Sequence, residues 1–217
     1  MDRDSMPVAR LLDPVPSQLQ TRAQLGKFRD ATVESAHVEA SVLKALNGFR
    51  NNLRTCVLNG HGLYLYGEPG SGKTYCGAAL LNHALAWRYS VLMIGAEQLR
   101  EVSMSRSMKA FDEYETWWDR CRGVHILLLD GLGSEYRSGN SSYTEDTFLA
   151  LLRERHNAPH SVTLFTSHMP MTGNGETVKN VYGGEMANLI SEMAHSVEVK
   201  SLGYRESIKE KMESLFT

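Results

Sequence analysis

Between residues 35 and 58, apolar side chains recur at three- and four-residue steps, through Val38, Val42, Leu43, Ala45, Leu46, Phe49, Leu53 and Val57. That spacing puts them on one face of an amphipathic helix, which Asn59, Gly60 and Gly62 end. Four short runs rich in branched or aromatic residues follow, at 63–66, 91–94, 124–129 and 162–165. Helical patterns separate them, over 73–89, over 97–102 with 108–122, and over 143–155. Strands alternating with helices predict an α/β fold around a largely parallel sheet with both faces covered. A helical segment at 184–194, a short apolar run at 197–199 and a charged helix from Gly203 close the chain. Residues 1–30 carry Pro7, Pro14 and Pro16 with little periodicity and read as an extended arm, leaving 31–217 as one folded unit.

Hydrophobic residues make up 42% of the 217 and charged residues 22%, enough apolar side chain to offset the chain entropy of a compact core. Wholesale disorder is excluded. Lys and Arg number 23 against 25 Asp and Glu, a net charge of −2, so any nucleic-acid contact must be local and not a property of bulk positive charge. No apolar run approaches the roughly 20 residues of a membrane-spanning helix, and the first twenty residues mix acids, Arg and Pro. The expectation is a cytoplasmic protein without membrane contact. Cys56, Cys76 and Cys121 stand singly, which argues against a disulfide framework and against a zinc ribbon.

Between the first apolar run and its helix lie Gly67, Glu68, Pro69, Gly70, Ser71, Gly72, Lys73 and Thr74, followed by Tyr75. The spacing is G-x-x-x-x-G-K-[ST], the phosphate-binding loop. Its glycines let successive backbone N–H groups turn inward around a triphosphate, and the helix beyond adds the positive end of its dipole. Lys73 is expected to reach the β- and γ-phosphates, and Thr74 to place its hydroxyl on a Mg²⁺ that bridges them. A chance glycine-rich turn is the bland alternative. Position after a strand and before a helix is the context that selects the loop instead.

The third apolar run ends in Asp130, and a buried strand with Asp at its C-terminal edge holds Mg²⁺ opposite such a loop. The alternative is an Asp that begins a turn before Gly131. Many hydrolases of this type place a second acid directly after that Asp to polarise the attacking water; here the position is Gly131. Glu135 is the nearest substitute. It reaches the γ-phosphate side if the loop folds back, and is otherwise a solvated loop acid.

With these residues in hand, the stretch from Lys27 to Glu206 resembles the AAA+ ATPases of the DnaC/DnaI type, bacterial and phage replicative helicase loaders. It is also similar to their relatives, the IstB-like transposition ATPases. The resemblance is carried by Gly62-Leu63-Tyr64-Leu65-Tyr66-Gly67 running into the phosphate loop and by Leu128-Leu129-Asp130-Gly131-Leu132-Gly133-Ser134-Glu135. Leu151-Leu152-Arg153-Glu154-Arg155 and Thr166-Ser167-His168 complete it. It implies an AAA+ P-loop NTPase with ATP as the nucleotide. It also implies a sensor at the end of the fourth strand, where the family has Thr-Ser-Asn and this chain has His168. A loop histidine before Met169 and Pro170 is the other reading.

Members of that family assemble side by side, and an Arg of one subunit completes the neighbour's ATP site, as suits a guanidinium beside a transferring phosphoryl group. Residues 172–193 contain no Arg, so Arg155 and Lys179 are the candidates for that role. Arg205 resembles the sensor-two Arg that contacts the phosphates; its alternative is a surface Arg opening a charged helix.

The loaders are expected to touch single-stranded DNA between the second and third strands. There Arg100, Arg106 and Lys109 are interleaved with Ser and Met, a pattern that can follow a phosphate backbone. A solvated connector is the alternative, since Asp112, Glu113 and Glu115 follow. Of the adjacent Trp117 and Trp118, one is expected inside and the other available to a partner. Val8, Leu11, Leu12 and Val15 suggest that the arm contacts a partner. The reading that results is an ATP-dependent loader of a replicative helicase onto single-stranded DNA, self-associating through its ATP site and hydrolysing slowly. An IstB-like transposition ATPase and an ATP-binding scaffold with little turnover are the alternatives.

Overall fold

The computed structural model describes residues 25–105, 111–134, 142–200 and 213–214. Helices α1 (Ala40–Asn51) and α2 (Leu53–Asn59) lead into β1 (Gly62–Tyr66), and α3 (Lys73–Ala86) carries the chain to β2 (Val91–Gly95). After α4 (Ala96–Ser105) and α5 (Phe111–Gly123) come β3 (Ile126–Leu132), α6 (Ser142–Asn157), β4 (Val162–Ser167), α7 (Val178–Met193) and β5 (Ala194–Glu198).

The strands form one parallel sheet in the order β2-β3-β4-β1-β5. Alternation along β3 shows why it is apolar throughout. Ile126 and Leu128 pack with Leu63, Leu65 and Leu164 beneath α1–α3, while Leu127 and Leu129 pack with Ile94 and Phe165 beneath α4–α7. A strand buried on both faces has no use for polar alternation. Helix α3 lies close enough to the sheet that a side-chain carbon at Gly77 would sit 2.8 Å from Leu128.

Three elements differ from the sequence reading. The long first helix breaks at Asn52, whose backbone leaves the helical region and whose Nδ2 donates to Gly48 O at 2.9 Å; such an amide competes with the helical ladder. The helix after β4 begins earlier, at Val178, with the Thr177 hydroxyl accepting from Asn180 N, and is interrupted at Gly183. Leu25 is buried, and Asn82 Nδ2 donates to Phe28 O and Ala31 O. The last residues of the expected arm are thus tied to α3.

The strand order sets β4 between β1 and β3, so the ends of all three meet. Tyr66 and Leu132 both pair with Ser167. Ligands of open parallel sheets bind beyond these C-terminal ends. Among the described residues no helix is long and apolar enough to cross a membrane.

Candidate functional site

The phosphate loop springs from the end of β1. Val199 N donates to Tyr66 O at 2.7 Å, carrying the chain after β5 directly over the loop's first residue. A side-chain carbon at Gly67 would stand 2.4 Å from Val199 O, and φ there is +139°, so only glycine fits. Ser71 N donates to Glu68 O, closing the turn. Helix α3 begins at Lys73, which leaves its first amides to the loop side. Lys73 Nζ donates to Gly67 O and Glu68 O, both at 2.7 Å, and to Ser71 Oγ at 3.3 Å. The ammonium is thus held within the loop by acceptors that a phosphate oxygen can replace.

Asp130, the fifth residue of β3, faces the start of α3. Its Oδ1 accepts from Thr74 Oγ1 at 2.9 Å and from Thr166 Oγ1 at 2.6 Å. Gly131 N donates to the same Thr166 oxygen at 2.8 Å. Two neighbouring strands, β3 and β4, and one helix terminus thus meet on one carboxylate. The donor set is a hydroxyl and a carboxylate, hard oxygens of the kind that hold Mg²⁺ together with phosphate and water. Among the described residues no cluster of three His, Cys, Asp or Glu could hold a metal by itself. Thr74 and Asp130 therefore fit Mg²⁺.

Thr166 was missed as a site residue. The signal was available in its place two residues before His168 at the end of a strand, but only the sheet order reveals that β4 lies beside Asp130. His168 stands at this same end of the sheet, with Nε2 3.4 Å from Glu176 Oε1. Tyr75, on the first turn of α3, packs edge-on against Phe28 and accepts from Thr32 N at 3.4 Å.

The structure corrects the reading of Arg155 as a residue reaching a neighbouring subunit. Its side chain is fully buried. Nε donates to Thr163 Oγ1, Nη1 to the carbonyls of Cys121, Arg122 and Val124, and Nη2 to Val162 O, at 2.6–3.2 Å. Those carbonyls close the C-terminal end of α5 and the start of β4, where the guanidinium is a fastener. Burial pulls its pKa down to about 10.

Lys179, the other candidate, is exposed on the first turn of α7. Arg100 is half-buried on α4, with its Nε shut off from solvent. Trp118 is buried, and half-buried Trp117 stacks beneath Arg120. Glu135, Arg106, Lys109 and Arg205 lie outside the described residues, as do Val8, Leu11, Leu12 and Val15.

Comparison with known proteins places this geometry. The chromosomal replication initiator DnaA of Aliarcobacter butzleri is 27% identical over 109 residues, which are 50% of this chain and 24% of that protein. The replicative helicase loader DnaI of Bacillus subtilis is 28% identical over 110 residues, 50% of this chain and 33% of DnaI. The chain thus spans a quarter to a third of the curated relatives it matches. The crystal structure of the DnaC helicase loader has the same fold, with a TM-score of 0.66 at 20% identity over 81% of this chain and 99% of that one. The model of the ATPase family associated with various cellular activities (AAA) matches residues 63–172, half of the chain. With that match running from the second residue of β1 through β4, across both halves of the site, the chain belongs to the AAA family of ATPases.

Proposed function

We propose that this chain binds ATP with Mg²⁺ and acts as a loader that places a replicative helicase on single-stranded DNA during replication. The observation that carries the nucleotide half is the meeting of Lys73, Thr74 and Asp130 at the C-terminal edge of the sheet. Similarity to DnaI and the shared DnaC fold support the loader half.

In this reading the amides of residues 67–74 hold the phosphates, and the Lys73 ammonium exchanges its loop carbonyls for β- and γ-phosphate oxygens. Thr74 and Asp130 hold the metal, with Thr166 fixing the Asp130 carboxylate. Bound Mg²⁺ supplies neutralisation of the charge that develops on the phosphates. Arg205 and Glu135 are candidates for the phosphate side, and Arg100, Arg106 and Lys109 for the DNA. Subunits associate through the ATP site, with Lys179 the candidate from the neighbour and the N-terminal arm the candidate helicase contact. Hydrolysis serves as a slow release switch.

The test is co-purification with the replicative helicase of the same host, with MgATP and with MgADP, followed by mass measurement of the complex. A defined complex that depends on ATP is expected. Its absence under both conditions overturns the loader half. A second reading, an ATP-binding scaffold, is favoured by Gly131, whose backbone stands where a second acid is common. Absence of phosphate release with and without single-stranded DNA would select it.

A further inference from the structure

The two edges of the sheet are not alike. At one edge every residue of β2 is buried or half-buried, whereas at the other β5 exposes His195, Ser196 and Glu198. β5 pairs only with β1, from Ala194 to Glu198, with no shift of register. Val199 N donates to Tyr66 O. By the alternation of a parallel ladder, His195 and Val197 therefore bond inward to β1, and Ser196 and Glu198 turn their N–H and C=O groups outward. Such an edge is a template for another strand, and natural edges are commonly guarded by Lys, Pro or a bulge. Between Ala194 and Glu198 there is none of the three.

A cleft of about 540 Å³ opens on one side of this edge, beside the start of β1 and so at the end of the sheet opposite the phosphate loop. Ala45 and Phe49 of α1 and Leu63 of β1 supply its apolar wall, and the exposed Lys44, His61 and His195 its rim. Among the described residues that line it none is acidic. Gly48 lines it too. A glycine inside a helix costs about 0.5–1 kcal/mol against alanine, and a side-chain carbon at 48 would meet nothing within 4 Å. The packing of the domain does not require that glycine, and its effect is to keep the cleft open. On the other side of β5 a second hollow of about 450 Å³ is lined by Ser191, Glu192 and Ser196. Val197 and Val199 join the core beneath α1–α3, so by alternation Ser196 and Glu198 face this second side. The acids near the edge, Glu192 and Glu198, thus lie off the first cleft.

We propose that the outer edge of β5 docks an extended, acidic segment of a partner protein. The segment adds a further strand to the sheet, its backbone bonding to that of Ser196 and Glu198. An apolar side chain enters the cleft between Phe49 and Leu63. A carboxylate two residues away, on the same face of the added strand, meets Lys44 and the two imidazoles. Main-chain bonds supply affinity in this mode, and the pockets for alternate side chains supply selectivity. A cleft rimmed by Lys44 and free of acids selects against basic segments. The inference stands apart from the nucleotide and loader readings.

The experiment selects a displayed library of random peptides, about eight residues long to match a strand, on the full chain. Enriched peptides are then measured by fluorescence anisotropy. Sequences with an acidic residue two positions from an apolar one are expected to be enriched. Binding is expected to fall about tenfold in Gly48→Leu, which fills the cleft, and in Lys44→Glu, which reverses its charge. A peptide with Lys in place of its acid should bind K44E better than wild type. Ser196→Pro removes an outward N–H and leaves the ladder to β1 intact, as an edge strand allows. It is expected to weaken binding by a similar factor at an unchanged thermal midpoint. Hydrogen exchange gives a reading that needs no variant: bound peptide should slow the amides of Ser196 and Glu198 in the wild-type chain. No enrichment, enriched peptides without acids, equal binding by wild type and K44E, or amides at 196 and 198 that exchange as fast with peptide as without would overturn the proposal. So would protection of both amides in the peptide-free monomer, which gives the edge to the chain's own residues. Protection that grows with protein concentration gives it to a second copy and overturns the proposal equally.

Discussion

Among the described residues, Lys73 at the C-terminal end of the sheet and Arg155 at the opposite end both donate to backbone carbonyls. Lys73 is half-buried, and its acceptors belong to the loop of which it is the last turn. An incoming phosphate can take the ammonium while water or ligand satisfies the carbonyls. Arg155 is fully buried, and its acceptors close α5 and open β4. No solvent is at hand to replace it, so withdrawing the guanidinium strands several carbonyls at once, each costing about 1–3 kcal/mol. Contacts of one chemical kind therefore serve binding at one end and folding at the other, and hydration of the acceptors makes the difference.

The sharpest break of that comparison is Arg155→Ala. It is expected to destabilise the fold by about 3–5 kcal/mol and to lower the thermal midpoint by roughly 10 °C, while protein that remains folded keeps its nucleotide affinity. An unchanged midpoint would return Arg155 to the list of ligand-side residues. Asp130→Asn works at the other end. Calorimetry should show MgATP binding weakened roughly tenfold or more, binding in EDTA unaffected, and the midpoint near wild type. Thr166→Val removes a donor from Asp130 and an acceptor from Gly131. A loss of about 1–2 kcal/mol in stability or MgATP binding is expected, with Thr166→Ser recovering most of it.

Smaller effects follow from histidines away from the site. Burial holds His125 and His83 below the ordinary value of 6.5, with His160 and Arg155 acting in the same sense on His125 and Arg50 on His83. Between those depressed values and 6.5 the unfolded chain binds more protons. Stability is therefore full above about pH 7 and falls as pH is lowered through that window. His125→Gln should flatten part of the slope in denaturant titrations at a series of pH values. The exposed pair Arg153 with Glu185, whose side chains are 54% and 63% accessible, sets the floor. Removing either is expected to change stability by about 0.5 kcal/mol or less.

Much of this was legible in the chain. Apolar runs that lack alternation announced strands buried on both faces, and the loop spacing located Lys73 and Thr74 because it specifies backbone geometry as well as residue type. Asp130 followed from its place at the end of such a run. Thr166 was not legible, since nothing in the spacing says that β4 lies between β1 and β3. Arg155 misled for the same reason. An Arg near the end of a helix reads as a surface charge until the closing carbonyls of α5 are seen around it. The helix break at Asn52 depended on one amide choosing Gly48 O, a competition that periodicity does not register.

The central claim is that the loop ahead of Lys73, with Thr74 and Asp130, holds a magnesium-bound nucleoside triphosphate. Calorimetric titration of MgATP into the wild-type chain and into Lys73→Ala tests it most directly. The account predicts one site per chain in the former and binding weakened by about a hundredfold or more in the latter, roughly the loss of a charge-assisted contact or two, with thermal midpoints alike without nucleotide. Equal uptake by both proteins, or none by the wild type, would contradict it.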